Sequence, residues 1–192
     1  MFSIMRPDDL AVHRFLANRA ADVFSYPEVG VSRTDAPAGY NVDRSRILLG
    51  RGEETFERAK VAIGKWQMFD IGWVELIHAP NPINAGMNVA ILAHTMGLYS
   101  LSSCRVAYVL DETIPIRRWG FGYGTLSHHV ERGEERFSVE WLADDSVWYD
   151  ILAFSQPRHF LARAGYLASR YYQRCFAVDS MAAMQRATTG SP

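Results

Sequence analysis

The sequence predicts an α+β fold in which a curved, barrel-like antiparallel β-sheet grips one long C-terminal helix. Three observations predict it. Near residue 73 the spacing of apolar residues changes from three and four to two. Six strand-like segments then follow one another, divided by breaks too short to hold parallel crossovers. After Pro157 the helical spacing returns as a long apolar stripe. Such a stripe must bury itself against another apolar surface, and a bent sheet supplies one.

The elements can be justified in order. Residues 9–21 place Leu10, Val12, Phe15 and Leu16 behind Asp8 or Asp9, the pattern of a short amphipathic helix with an acidic cap. The run SYPEVGVSRTDAPAGYNVD (25–43) is rich in turn-forming residues and reads as a wrapping loop. SRILLG (45–50) resembles a strand, and GRGEE leads into a helix over 53–66 whose Phe56, Ala59, Ile63 and Trp66 share one face. Strands are expected at 73–78, 87–95, 104–112, 118–126, 135–143 and 146–154. The closing helix is expected over 157–186, with Ser155 as cap, Pro157 in the first turn and a buried stripe of Phe160, Ala164, Leu167, Tyr171, Val178 and Met181. No repeat or linker interrupts the chain, so 1–192 is expected to be a single domain. Its N-terminal helix and loop occupy 1–39, its core 40–186 and a frayed tail 187–192. A chain of 192 residues can bury roughly 70% of its unfolded surface in one core.

Composition narrows the function. Hydrophobic residues make up 48% and charged ones 21%, the balance of a globular protein. Twenty basic side chains against twenty-one acidic ones argue against a binder of nucleic acid, which needs a basic excess for phosphate contacts. No apolar run is long enough for an integral membrane helix, and MFSIMRPDDL lacks the pattern of a signal peptide, so a cytoplasmic location is expected. Cys104 and Cys175 suggest buried free thiols rather than a disulfide. The oligomeric state is unknown from sequence.

Chemistry concentrates in GFGYGTLSHHVERGEERFSVEW (120–141). In the strand 118–126, Trp119, Phe121, Tyr123 and Thr125 share a face, and Gly120, Gly122 and Gly124 occupy the other. The glycines predict a bend, or the close approach of another backbone or a ligand. SHHVERGEE reads as a polar turn around Gly133, with Glu131 and Arg132 in solvent. His128 and His129 point to opposite faces if extended, and neither the Pro-Cys-x-x-Cys of zinc deaminases nor an HExxH helix is present, so no metal is expected. One histidine, His129, could instead lie at a cavity mouth as a proton-transfer group. Glu135 shares the face of Phe137, Val139 and Trp141. It would have a raised pKa if it pointed into a cavity, or would pair with an arginine such as Arg105 or Arg118. Asp150, among Trp148, Leu152 and Phe154, needs a partner or a function. Nucleotide-binding loops, a serine elbow and a central lysine are absent, so no cofactor is expected.

The runs YNVDRSRILLGRGEETFERAK, CRVAYVLDE, GFGYGTLSHHVERGEERFSVEW and SVWYDILAFSQPRHFLARAGY resemble the bacterial and plant family catalogued as domain of unknown function 1990, also called UPF0548. The resemblance runs from about Tyr40 to Met184, and Tyr123–Leu126 followed by Glu131–Glu135 is its most specific part. The element order also resembles the helix-grip fold of START and Bet v 1-like proteins. That likeness implies a cavity for lipids, steroids or polyketides, and in some members cyclase or dehydratase activity. The expectation is therefore a hydrophobic small-molecule ligand between helix and sheet, bound by Tyr108, Tyr123, Glu135, Trp141, Tyr149 and His129. The alternative is a cofactor-free acid/base enzyme using Glu135, Tyr123 and Asp150. A further alternative is a protein-interaction module with a filled core.

Overall fold

Alternation of apolar and polar residues produces one antiparallel sheet of eight strands in a computed structural model that describes residues 1–77, 79, 81–158 and 166–189. The strands are β1 (Phe2–Ser3), β2 (Asn41–Arg51), β3 (Val74–Ile77), β4 (Asn88–Thr95), β5 (Leu98–Glu112), β6 (Arg117–Thr125), β7 (Glu131–Trp141) and β8 (Ser146–Pro157). Their order is β2-β8-β7-β6-β5-β4-β3, with β1 paired to β5 beyond the end of β6. Among the described residues, three α-helices complete the fold: α1 (Asp9–Ala17), α2 (Gly52–Gly64) and α3 (Tyr166–Thr189).

The inner face of the sheet carries the main core. Phe121, Phe137, Val139, Val147 and Tyr149 are fully buried there against Ala59, Ile63 and Met184. The α2 helix follows β2 and packs Phe56, Ala59 and Ile63 inward, as their spacing predicts. Asp8 caps α1, its side chain accepting a hydrogen bond from the Ala11 amide at 2.7 Å.

The outer face is covered too, which is why β6 and β7 are buried almost throughout. The loop before β2 lies across it, pinned by the buried Glu134. That carboxylate accepts from the Tyr26 hydroxyl at 2.7 Å and from the amides of Gly30 and Ser32 at 2.7 and 3.0 Å. Gly122 and Gly124 explain themselves here. A Cβ at Gly122 would lie 2.5 Å from the Tyr108 ring, and one at Gly124 would lie 1.8 Å from the Tyr26 hydroxyl. The close approach is by outer-face tyrosines, not by a ligand.

Three expectations need correction. The β6–β7 turn lies before Glu131, so Gly133 is inside β7, paired with Ser155, because a Cβ there would meet the Phe154 carbonyl oxygen at 1.9 Å. Consequently Glu131 and Arg132 are strand residues with partners rather than solvated turn residues. The last strand continues to Pro157, so Ser155 pairs with Asn41 instead of capping a helix. Phe160 and Ala164 lie outside the described residues. Finally, Leu167, Tyr171 and Val178 of the predicted stripe face outward, at 83%, 62% and 60% exposure. The inner side of α3 is Phe176, Ser180, Ala183, Met184 and Thr188. Apolar residues occur around most of this helix, so spacing alone does not select its buried face.

Candidate ligand site

A cavity of about 500 Å3 separates the inner face of the sheet from the first half of α3. That volume falls within the usual range for a small-molecule site. Ile91, Ala93, Ile151 and Ala153 form its sheet wall, and Tyr172, Phe176 and Ala177 its helix wall. Phe69 closes one end, its ring 5.1 Å from that of Phe176. Trp73 stands beside Tyr172 at 5.7 Å and donates its indole N–H to Asp179 of α3 at 2.8 Å. The helix is thereby held at a distance from β4 and β8, where small Ala93 and Ala153 side chains leave space.

Polar groups converge at one place on this apolar lining. Tyr123 and Glu135 are cross-strand partners on β6 and β7. The Tyr123 hydroxyl donates to Glu135 Oε2 at 2.9 Å. Burial pushes the Glu135 carboxyl up to about 7, against the pull of the Tyr123 hydrogen bond, with the Asp43 charge adding to the rise. Burial and the Glu135 charge also hold the Tyr123 phenol well above its ordinary range, so it stays a hydrogen-bond donor. The Cys104 thiol, in the same wall, is raised by burial and by Glu135, which suppresses a thiolate.

The rim is built from charged and polar side chains. Arg170 of α3 pairs with Asp43 of β2. Glu131 accepts from Ser169 Oγ and from Gln173 Nε2, at 2.5 and 2.8 Å, tying β7 to the helix. His129 also lines the cavity. Its Nδ1 accepts the Glu131 amide at 3.1 Å, and burial lowers its pKa to about 4, so it is a neutral imidazole. His128 is exposed and lies 3.9 Å from Asp22.

The structure thus brings together Tyr123, Glu135 and His129, and disperses the other predicted residues. Tyr108 lies on the outer face, hydrogen bonded to Ser32 Oγ at 2.6 Å beneath Arg33, because a bulge between Val106 and Tyr108 inverts the strand's alternation. Trp141 shares the face of Glu135 but stands at the far end of β7, packed on Phe56 at 6.1 Å. Tyr149 also faces inward, yet α3 sits directly on it and its hydroxyl bonds Ser180 Oγ at 2.9 Å. Asp150 faces outward and pairs with Arg136 at 2.5 Å, which removes it from the acid/base candidates. Glu135 has neither expected arginine: Arg118 bonds Glu112 and Arg105 bonds Asn88. Phe69, Trp73, Tyr172 and Phe176 escaped the sequence reading.

A model of the family described as Domain of unknown function (DUF1990) matches residues 25–183. The chain belongs to this family. A UPF0548 protein of Dictyostelium discoideum is 34% identical over 97% of this chain and 95% of its own. One from Deinococcus radiodurans is 39% identical over 81% and 83%, and one from Arabidopsis thaliana 32% over 80% and 76%. DUF1990 relatives thus extend beyond the bacteria and plants that the resemblance named. Among solved structures, the chain is similar to Ara h 8.0201 with a TM-score of 0.48 and 12% identity, covering 76% of this chain and 98% of that one. It is also similar to human STARD10, with a TM-score of 0.45 and 13% identity over 96% and 80%. Among the described residues, no helix is long and apolar enough to cross a membrane.

Proposed function

We propose that this DUF1990 chain is a cytoplasmic protein that binds a hydrophobic small molecule in the cavity between α3 and the sheet. One observation carries the reading: an apolar space of about 500 Å3 has the hydrogen-bonded pair Tyr123 and Glu135 on its wall. An apolar body filling that space leaves water, and the pair orients it by hydrogen bonding. A module with a filled core has no use for such a volume.

The test is a titration with N-phenyl-1-naphthylamine, an apolar fluorophore that brightens out of water. Saturable binding by the parent is expected, and its loss in Ala153→Phe, which fills the cavity from β8. Circular dichroism checks that the variant folds. Absence of saturable binding in the parent, or equal binding by a folded Ala153→Phe, would overturn the reading.

A second reading is favoured by the pKa of Glu135 near 7 beside a phenol facing the same space. A carboxyl poised there can take a proton from a bound molecule and return it, as cyclisation or dehydration of a polyketide-like substrate requires. Turnover would then vanish in Glu135→Gln while binding remained.

A further inference from the structure

The charged groups around the cavity are unequally satisfied. The nearby arginines are committed elsewhere: Arg170 to Asp43, Arg132 to Gln156 and the Tyr40 ring, Arg105 to Asn88. Two carboxylates of the lining, Glu131 and Glu135, have no cationic partner among the described residues. Glu131 is held by neutral donors from Ser169 and Gln173. Glu135 accepts one hydrogen bond, from Tyr123 at Oε2, which leaves its Oε1 to whatever occupies the cavity. Both residues lie on the inner face of β7, four positions apart, so roughly 13 Å of strand separates the rim carboxylate from the deep one.

This arrangement discriminates between ligand head groups. A carboxylate or phosphate would approach two like charges, while the nearby guanidiniums are held elsewhere, Arg170 on Asp43 and Arg132 on Gln156 and the Tyr40 ring. A carbonyl or ether oxygen offers only lone pairs to Oε1, itself an acceptor. A hydroxyl can donate to the carboxylate, but it brings no charge of its own to meet the two carboxylates. An ammonium satisfies Oε1, meets an attractive charge at the rim and another at depth, and favours the ionised form of Glu135.

We propose that the ligand is a cationic amphiphile: an apolar chain or ring system bearing a protonated amine, its ammonium seated on Glu135 and its body against Phe69, Ile151, Ala153 and Phe176. The inference rests on the cavity reading above and goes further by fixing the head group.

The experiment displaces N-phenyl-1-naphthylamine with three compounds of equal chain length, dodecylamine, 1-dodecanol and dodecanoate, each below its micellar concentration at about pH 8. An amine has a pKa like that of lysine, so it is protonated there. The amine should compete about ten-fold better than the alcohol, equivalent to ~1.4 kcal/mol, with dodecanoate weakest. In Glu135→Gln the amine's advantage over the alcohol should fall to about two-fold or less, each affinity being taken relative to that variant's own binding of the fluorophore. Glu131→Gln should reduce the advantage by a smaller factor.

Equal competition by alcohol or dodecanoate overturns the head-group assignment and leaves the cavity reading standing. So does an amine advantage that survives Glu135→Gln. A parent that binds neither the fluorophore nor the amine overturns both. If Glu135→Gln fails to fold, Tyr123→Phe decides the matter. It keeps the carboxylate while freeing Oε2, so the amine preference must persist in it, and its loss counts against the proposal.

Discussion

At the scale of single residues, Glu135 couples the site to stability through its proton. Its carboxyl titrates near 7 in the folded protein against an ordinary value of 4.5, because burial disfavours the charge. Between those values the folded state binds more protons than the unfolded chain. Stability therefore falls as pH rises from about 4.5 to about 7, and the penalty is fully present above that window. The groups facing this carboxyl act in the same sense or are neutral donors: Asp43 raises it, and Tyr123 and Cys104 remain protonated. Glu135→Gln should consequently gain ~1–3 kcal/mol over the parent at pH 8 and little at pH 4, read from urea unfolding at both pH values. A pH-independent difference would mean that Glu135 titrates normally. The alternation of β6 and β7 made this pair legible in the sequence, since neither strand is interrupted between the two residues and the core. Tyr108 was misplaced by the same rule, because the bulge after Val106 adds a residue that alternation cannot foresee. The bulge also sets up a second test. Gly122→Ala would place a methyl 2.5 Å from the Tyr108 ring and should cost ~1–3 kcal/mol, partly recovered in the double variant with Tyr108→Ala. Additive costs would show that the two positions do not meet.

Among elements, the loop that precedes β2 depends on β7 more than on itself. Its Tyr26, Gly30 and Ser32 all donate to Glu134, and Ser32 and Arg33 offer their carbonyls to Arg136. Glu134 and Arg136 alternate with Glu135 on β7, so the polar run read as a hairpin turn is a strand with a cavity-facing side and a loop-holding side. Sequence reasoning missed this because a carboxylate that accepts three or more protein donors is stable when buried, whereas composition alone assigns it to solvent. Glu134→Gln replaces an acceptor with a donor opposite other donors. It should lower stability by ~2–4 kcal/mol and raise hydrogen exchange over residues 26–33, with much less effect on the cavity. Exchange in that loop equal to the parent's would show that Glu134 does not hold it. The order of strands was readable because hairpin connections and period-two alternation are local signals. The face of α3 was not readable, since that choice is made by contacts with Tyr149, Phe69 and α2 that the helix's own spacing does not encode.

For the whole molecule, α3 divides into two parts with different support. Its C-terminal part is anchored: Ser180 bonds Tyr149, Ala183 and Met184 are buried in the main core, and Arg186 reaches the Asp70 carbonyl at 3.2 Å. Its N-terminal part spans the cavity instead. There Ala168, Tyr172 and Phe176 line the cavity, Tyr172 and Phe176 meeting the rings of Trp73 and Phe69 on one side only, and polar links to Asp43 and Glu131 hold the helix at the rim. Few apolar contacts and rim-held polar ones characterise a segment that opens without global unfolding. Hydrogen exchange should therefore be faster over Tyr166–Phe176 than over Ala177–Thr189 in the ligand-free protein. A bound apolar molecule adds contacts only to the first part, so occupancy should slow exchange there and leave the second unchanged. Asp43→Asn, which weakens the link to Arg170, should widen the difference without lowering the protection of the anchored part. Mass-spectrometric exchange with and without N-phenyl-1-naphthylamine measures both effects. Uniform protection along α3, insensitive to a fluorophore shown to be bound, would mean that the helix is one rigid wall and that the ligand enters elsewhere than beneath its N-terminal half.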